Sequence, residues 1–117
     1  MTDMNAEEFL FRLDQIPHLL DLARQQDALQ CYQVQKTLRQ QRRQEKRPFL
    51  YSMPMRHLYH CPLCGKRDTD ILHELEDPRR NAQIKFLELV IHQARDHDTP
   101  PDDELAAFVD ACLKEAG

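Results

Sequence analysis

Glycine is nearly absent, with two residues in 117. That scarcity excludes the glycine-rich loops that cradle phosphates and the nucleophile elbow of hydrolases, and neither signature occurs. No apolar run approaches the length of about 18 residues that spans a bilayer. The start, Met-Thr-Asp-Met-Asn-Ala-Glu-Glu, is acidic and polar and lacks the features of a secretory signal. The expectation is an intracellular, cytoplasmic protein with no membrane role. β-branched residues are few and 31% of the chain is charged, which favours a mostly helical fold. A chain of this length forms one domain, or a small domain with an appendage, and its core shields only about two thirds of the chain's surface. A metal clip would help such a core.

Two stretches can supply that clip: Cys61-Pro62-Leu63-Cys64-Gly65 and His92-Gln93-Ala94-Arg95-Asp96-His97. Two cysteines separated by two residues present both sulfurs to one tetrahedral ion, and two helical histidines supply the remaining ligands. A tight turn at Pro62, with Gly65 taking positive φ, points both thiolates inward. His92 and His97 lie five positions apart, about 500° around an ideal helix, so they diverge by about 140°. The helix must therefore tighten, loosen or end near Arg95, and Asp98-Thr99-Pro100-Pro101 favours an ending. The expected site is one structural Zn2+ held by Cys61, Cys64, His92 and His97. His57, His60 and His73 are rival ligands, and a redox CxxC pair is the other reading of the cysteines. Cys31 and Cys112 sit alone in helical sequence and are expected as reduced packing residues.

This pattern resembles the C2H2 zinc-finger family, whose fold is a hairpin carrying the cysteines followed by a helix carrying the histidines. Cys61 and Cys64 fall at the family's cysteine positions and His92 and His97 at its histidine positions. The resemblance covers about a third of the chain. Between Cys64 and His92 lie 27 residues, where the ordinary finger has about 12 to 15. The insert implies a longer hairpin and a longer helix, or a different zinc fold that converged on the same ligands. The ligands carry over; no base-contacting position does.

Charge is segregated along the chain. Residues 1–35 have net charge −4, residues 36–67 have +8, and residues 68–117 have −8. The basic middle consists of Lys36, Arg39, Arg42, Arg43, Lys46, Arg47, Arg56, Lys66 and Arg67, and is the feature most suggestive of nucleic acid.

Asn5 with Glu8 has the form of a capping box opening a first helix, and Phe9, Leu10, Leu13 and Ile16 give it an apolar stripe. Pro17 starts a second helix, with Leu19, Leu20, Leu22 and Ala23 facing the first. That helix can run on to Arg47, because no glycine or proline interrupts residues 21–47. Beyond Leu38 it has no apolar residue and is expected as a solvated end or a contact surface. Pro48 to Pro54 reads as an extended linker, Met55 to His60 as a strand entering the cysteine turn, and Thr69 to Leu75 as its return. Asp77-Pro78 then introduces the histidine-bearing helix, with Ile84, Leu87, Val90, Ile91 and Ala94 as its inner stripe. Asp102, Asp103 and Glu104 open a last helix, whose face of Leu105, Ala106, Phe108, Val109, Cys112 and Leu113 docks on the histidine-bearing one.

The expected fold is mostly α with a small β-hairpin: an N-terminal helical pair, a zinc-stabilised ββα-like module and a C-terminal helix. Its regions are a helical 1–47 with a basic end, a linker and strand at 48–58, and the zinc module with the last helix at 59–117. The expected function is a nucleic-acid-binding module or regulator acting through the basic segment. The alternative is a protein-binding adaptor or inhibitor of a larger machine, meeting an acidic or basic protein partner. The glutamine-rich helix, with partial heptad spacing, also leaves open a homodimer through the N-terminal helices. His73, Asn81 and His92 are loosely similar in order to the residues of HNH metal nucleases, a minor alternative to the expectation that the chain is not an enzyme.

Overall fold

A computed structural model describes the backbone of residues 4–26, 31–65 and 67–114, and their side chains except at 23–26, 31–32, 54–59 and 67–70. Among the described residues, five helices surround one antiparallel sheet of order β1-β2-β3. The chain runs α1 (Ala6–Asp14), α2 (Leu19–Gln26), α3 (Cys31–Gln44), β1 (Phe49–His60), β2 (Arg67–Asp77), β3 (Ala82–Leu87), α4 (Glu88–His97) and α5 (Asp103–Leu113).

The register sorts the strand residues into two faces, because successive side chains point to opposite sides. Leu50 pairs with Leu75, and Leu75 with Ile84, on one face; Phe49 pairs with Glu76 and Tyr51 with Glu74 on the other. The first face forms the main core with Phe9, Leu13 and Ile16 near α1, Ala94 of α4, and Leu105, Val109 and Cys112 of α5. The second face holds a smaller cluster, in which Leu19, Phe49 and Tyr51 meet Leu22 and Leu38. The result is three layers: α1, α4 and α5, then the sheet, then α2 and α3.

The first helix starts as expected, with Asn5 Oδ1 accepting the Glu8 N–H at 2.7 Å. Pro17, however, does not open the next helix. Its carbonyl accepts the Leu50 N–H at 2.8 Å, and His18 bridges Leu50 in parallel, so α2 begins only at Leu19. The two N-terminal helices separate across the sheet instead of facing one another, since Leu19 packs on Phe49 and Tyr51 while α1 packs on α4 and α5. The long helix expected up to Arg47 is also two helices, α2 and α3, packed against each other. Absence of glycine and proline permits a continuous helix but does not compel one. Folding back lets Leu19, Leu22 and Leu38 share one face of the sheet.

The linker expected at Pro48 to Pro54 is the first half of β1, with Phe49, Leu50, Tyr51 and Ser52 buried. A register shift between Pro54 and Leu58 accommodates the proline inside the strand. Residues 82–87, expected in the histidine helix, form β3. Ile84 suits a helical stripe and a strand alternation equally, and pairing of Ala82–Leu87 with Leu72–Asp77 decides for the strand. The last helix opens at the expected acids, and Asp102 is its cap, its carboxylate accepting the Leu105 N–H at 2.8 Å. It packs chiefly on α1, where Arg12 pairs with Asp110 at 2.5 Å.

The turn between β2 and β3 is tied to the end of α5. Asp77 is fully buried and accepts bonds from Arg79 Nε at 2.9 Å and Arg80 Nε at 2.8 Å. Arg79 also donates to the carbonyls of Ala111, Cys112 and Lys114, the orphan acceptors of the α5 terminus. Burial raises the Asp77 pKa, but hydrogen bonds from Arg79 and Arg80 outweigh it and hold the carboxyl below its ordinary 3.8. Burial, followed by the charge of Asp77, pushes the Cys112 thiol up to about 11, so this free cysteine is inert at neutral pH.

Asp77→Ala is expected to cost about 3 kcal/mol in urea unfolding at pH 7, because it leaves two guanidinium groups without their buried counter-charge. A carboxyl whose folded pKa is lowered stabilises fully above its unfolded pKa and loses that contribution as pH falls through the lowered value. The penalty should therefore stay constant from pH 7 to pH 4 and shrink only below that. A penalty under about 1 kcal/mol would remove the clamp from the list of stabilising contacts.

Candidate metal centre

After β1 the chain turns through a knuckle at residues 61–65. Gly65 donates its N–H to the Cys61 carbonyl at 2.7 Å and adopts φ 70°, the left-handed conformation that glycine enters without a Cβ clash. This closure turns Cys61 inward, where it is buried, and leaves Cys64 at the surface.

Opposite the knuckle lies α4. Its last turn is wider than α-helical: the N–H groups of Asp98 and Thr99 both reach the Gln93 carbonyl, spanning five and six residues where an α-helix spans four. Asp98 closes the helix at φ 50°, and two prolines follow. A turn closed over five residues brings positions i and i+5 nearer to one face. His92 and His97 are such a pair, with ring centroids 5.2 Å apart. Of the expected ways to converge them, the helix uses loosening followed by an ending two residues beyond Arg95.

One ligand atom from each of Cys61, Cys64, His92 and His97 lies within 4.8 Å of the other three, and together these residues can hold a metal ion. A tetrahedral ion with sulfur at about 2.3 Å and nitrogen at about 2.0 Å sets sulfur–nitrogen edges of about 3.5 Å. Cys64 Sγ and His92 Nε2 are 3.4 Å apart, so that edge already fits, and the longest separation needs to close by about 1 Å. His97 Nε2 is buried without a hydrogen-bond partner, an arrangement that an ion nearby would resolve.

The surroundings favour a deprotonated Cys61 and an oriented His92. Burial pushes the Cys61 thiol up, but hydrogen bonds from the backbone of Leu63 and Cys64 and from the Cys64 and His92 side chains outweigh it, bringing the pKa from 9.0 to about 6. The Gln93 side-chain amide points at Cys61 Sγ from 4.0 Å. His92 Nδ1 sits 3.0 Å from an Asp96 carboxylate oxygen. A carboxylate there fixes the ring so that Nε2 faces the sulfurs.

The rival ligands lie elsewhere. His73 is buried between Ser52 Oγ, 2.8 Å from its Nδ1, and the Glu88 carboxylate at its Nε2. His60 is exposed at the end of β1 and is not part of the cluster, and the His57 side chain lies outside the described residues. The HNH-like set is not brought together: Asn81 is in the β2–β3 turn, at the opposite end of β2 from the knuckle beside His92.

The basic segment has two environments. Arg43 grips Glu76 with bonds of 2.6 and 2.7 Å, and Arg39 pairs with Glu74 at 3.3 Å while lying over the Tyr51 ring. Hydrogen bonding to Glu76 raises the Arg43 pKa and keeps it charged. The segment beyond Leu38, expected as a solvated end or a contact surface, is thus in part docked on the sheet, by ion pairs rather than by apolar contact. Lys36, Arg42 and Lys46 have no ion-pair partner among the described residues, while Arg47 pairs weakly with Glu45 at 3.7 Å. Lys66 and the side chains of Arg56, Arg67 and Cys31 lie outside the described residues. The pairing of α3 with the sheet was not read from sequence, though the Glu74 and Glu76 alternation in β2 was its available signal.

No family description, curated protein or solved structure matches the chain. No helix among the described residues is long and apolar enough to cross a membrane.

Asp96→Asn is expected to weaken metal affinity about 10- to 100-fold with an unchanged circular dichroism spectrum. Competition with a chromophoric chelator measures it, and equal affinities would remove Asp96 from the site.

Proposed function

We propose that the chain is a small zinc-stabilised module that binds nucleic acid through α3 and the basic residues after it. Two thiolates with two imidazoles are the donor set of structural zinc, and four protein ligands leave no open position for water or substrate. The ion would join the knuckle to the end of α4 and hold the sheet in shape. Cysteines on a hairpin turn and histidines on a following helix also keep the order of the zinc-finger ligand set, with β3 filling the longer interval.

One observation carries the nucleic-acid reading. Helix α3 contains four bases, five glutamines and no acid in a chain of net charge −4. Its outer side presents Gln33, Lys36, Thr37 and Gln40 around an open groove of 300 Å³. Glutamine, lysine and threonine are side chains that meet base edges and phosphates. In this arrangement Arg39 and Arg43 fix the helix on the sheet, and Lys36, Arg42, Lys46 and Arg47 supply the charge for phosphates.

The second reading, a protein-binding adaptor, is favoured by the commitment of Arg39 and Arg43 to Glu74 and Glu76, which leaves less positive charge for a phosphate backbone. Leu63 at the knuckle tip is also exposed, as is Phe11 on α1.

The test is fluorescence anisotropy with duplex and single-stranded DNA across a salt series, together with zinc content by mass spectrometry. One zinc per chain is expected, with affinity falling steeply as salt rises. Lys36→Glu/Lys46→Glu changes two exposed positions, and on duplex it should reduce the log–log salt slope by about two. Stoichiometric zinc with no DNA binding at low salt would favour the adaptor.

A further inference from the structure

The two edges of the sheet differ. On β1 the Leu50 N–H is taken by the Pro17 carbonyl. Two residues on, the buried Gln35 side chain covers Ser52, accepting its N–H at 3.1 Å and donating to its carbonyl at 3.2 Å. An amide side chain thus stands where another strand's backbone would. On the outer edge of β3, no backbone group of another element is paired among the described residues. A bare edge is a template for a further strand unless charge, proline or a covering element blunts it. Its one charge is Lys85, which stands opposite Glu74 in the register, and it has no proline.

A groove of 440 Å³ runs along this edge. Ile84, Lys85 and Phe86 all line it, and three successive residues of a strand border one groove when the strand presents its edge. Pro100, Pro101 and the start of α5 form the opposite wall, with Val90 and Leu105 as apolar lining and Asp102 and Glu104 as acids. Asp98, Asp102, Asp103 and Glu104 have no ion-pair partner among the described residues.

We infer that the β3 edge is a docking site for an extended, basic peptide segment of a partner protein, which adds to the sheet as a fourth strand. Its backbone would bond alternate residues of β3, its apolar side chains would rest between Phe86 and Leu105, and its lysines or arginines would meet the acids at the start of α5. The sign of the wall selects the occupant: an acidic strand would be repelled where a basic one is drawn in. This surface is independent of α3 and of any nucleic acid bound there.

The test uses the zinc-loaded full chain and a fluorescein-labelled octapeptide of alternating lysine and valine. Its controls are a glutamate-for-lysine counterpart and two versions N-methylated on either the lysine or the valine backbone nitrogens. The lysine peptide should bind and the glutamate peptide should not. One N-methylated version should lose about tenfold in affinity and the other little, because only alternate N–H groups face β3. N-methylation alters the ligand and cannot unfold the protein. Glu104→Lys, which leaves the Asp102 cap in place, should weaken the lysine peptide about fivefold at low salt. Binding that ignores both N-methylation and Glu104→Lys would overturn the proposal. So would sedimentation showing that a second copy of the chain occupies the edge and excludes the peptide.

Discussion

Glu74 and Glu76 occupy the middle strand of the sheet with side-chain exposures of 6% and 10%, and much of the architecture follows from that. Carboxylates removed from water need counter-charge and hydrogen bonds. Arg39 and Arg43, one turn apart on α3, meet them, and the Arg39 guanidinium also covers the Tyr51 ring. The position of α3 is therefore set largely by polar contacts, these ion pairs and the Gln35 bonds to Ser52, with Leu38 adding an apolar contact to the smaller cluster. The same pairs divide the basic segment into residues that hold the helix and residues that are left for a ligand.

The opposite face of the sheet obeys a different rule. There Leu50, Leu75 and Phe86 pack under α1, α4 and α5, His73 meets Glu88 beside Phe86, and at one end Asp77, Arg79 and Arg80 secure the end of α5. The metal centre lies at the other end of β2. The central strand thus ends in an ionic clamp on one side and, on the other, beside four residues that can hold a metal ion.

What could be read in the sequence was mostly local chemistry. The cap at Asn5, the acids opening the last helix, the left-handed Gly65 and the return strand after Thr69 each depend on neighbouring residues, and each is present. The four metal-site residues were legible because ligand spacing is a geometric requirement. What failed depended on partners distant in sequence. The break between α2 and α3 reflects a shared sheet face, and β3 is a strand because Leu72–Asp77 lies beside it. An arginine-rich helix end looked solvated because its carboxylate partners lie some 30 residues further on, as in Arg43 with Glu76.

The pairing of α1 with α5 bears on how the chain acquires its structure. Arg12 and Asp110 are 98 residues apart, so α1 is made long before the helix it pairs with. Until α4 and α5 are made, Phe9, Leu13 and Ile16 lack part of their core, and contacts of such long range slow the search for the native topology. The apolar stripe of α1 thus stays partly uncovered until the C-terminal helices are in place.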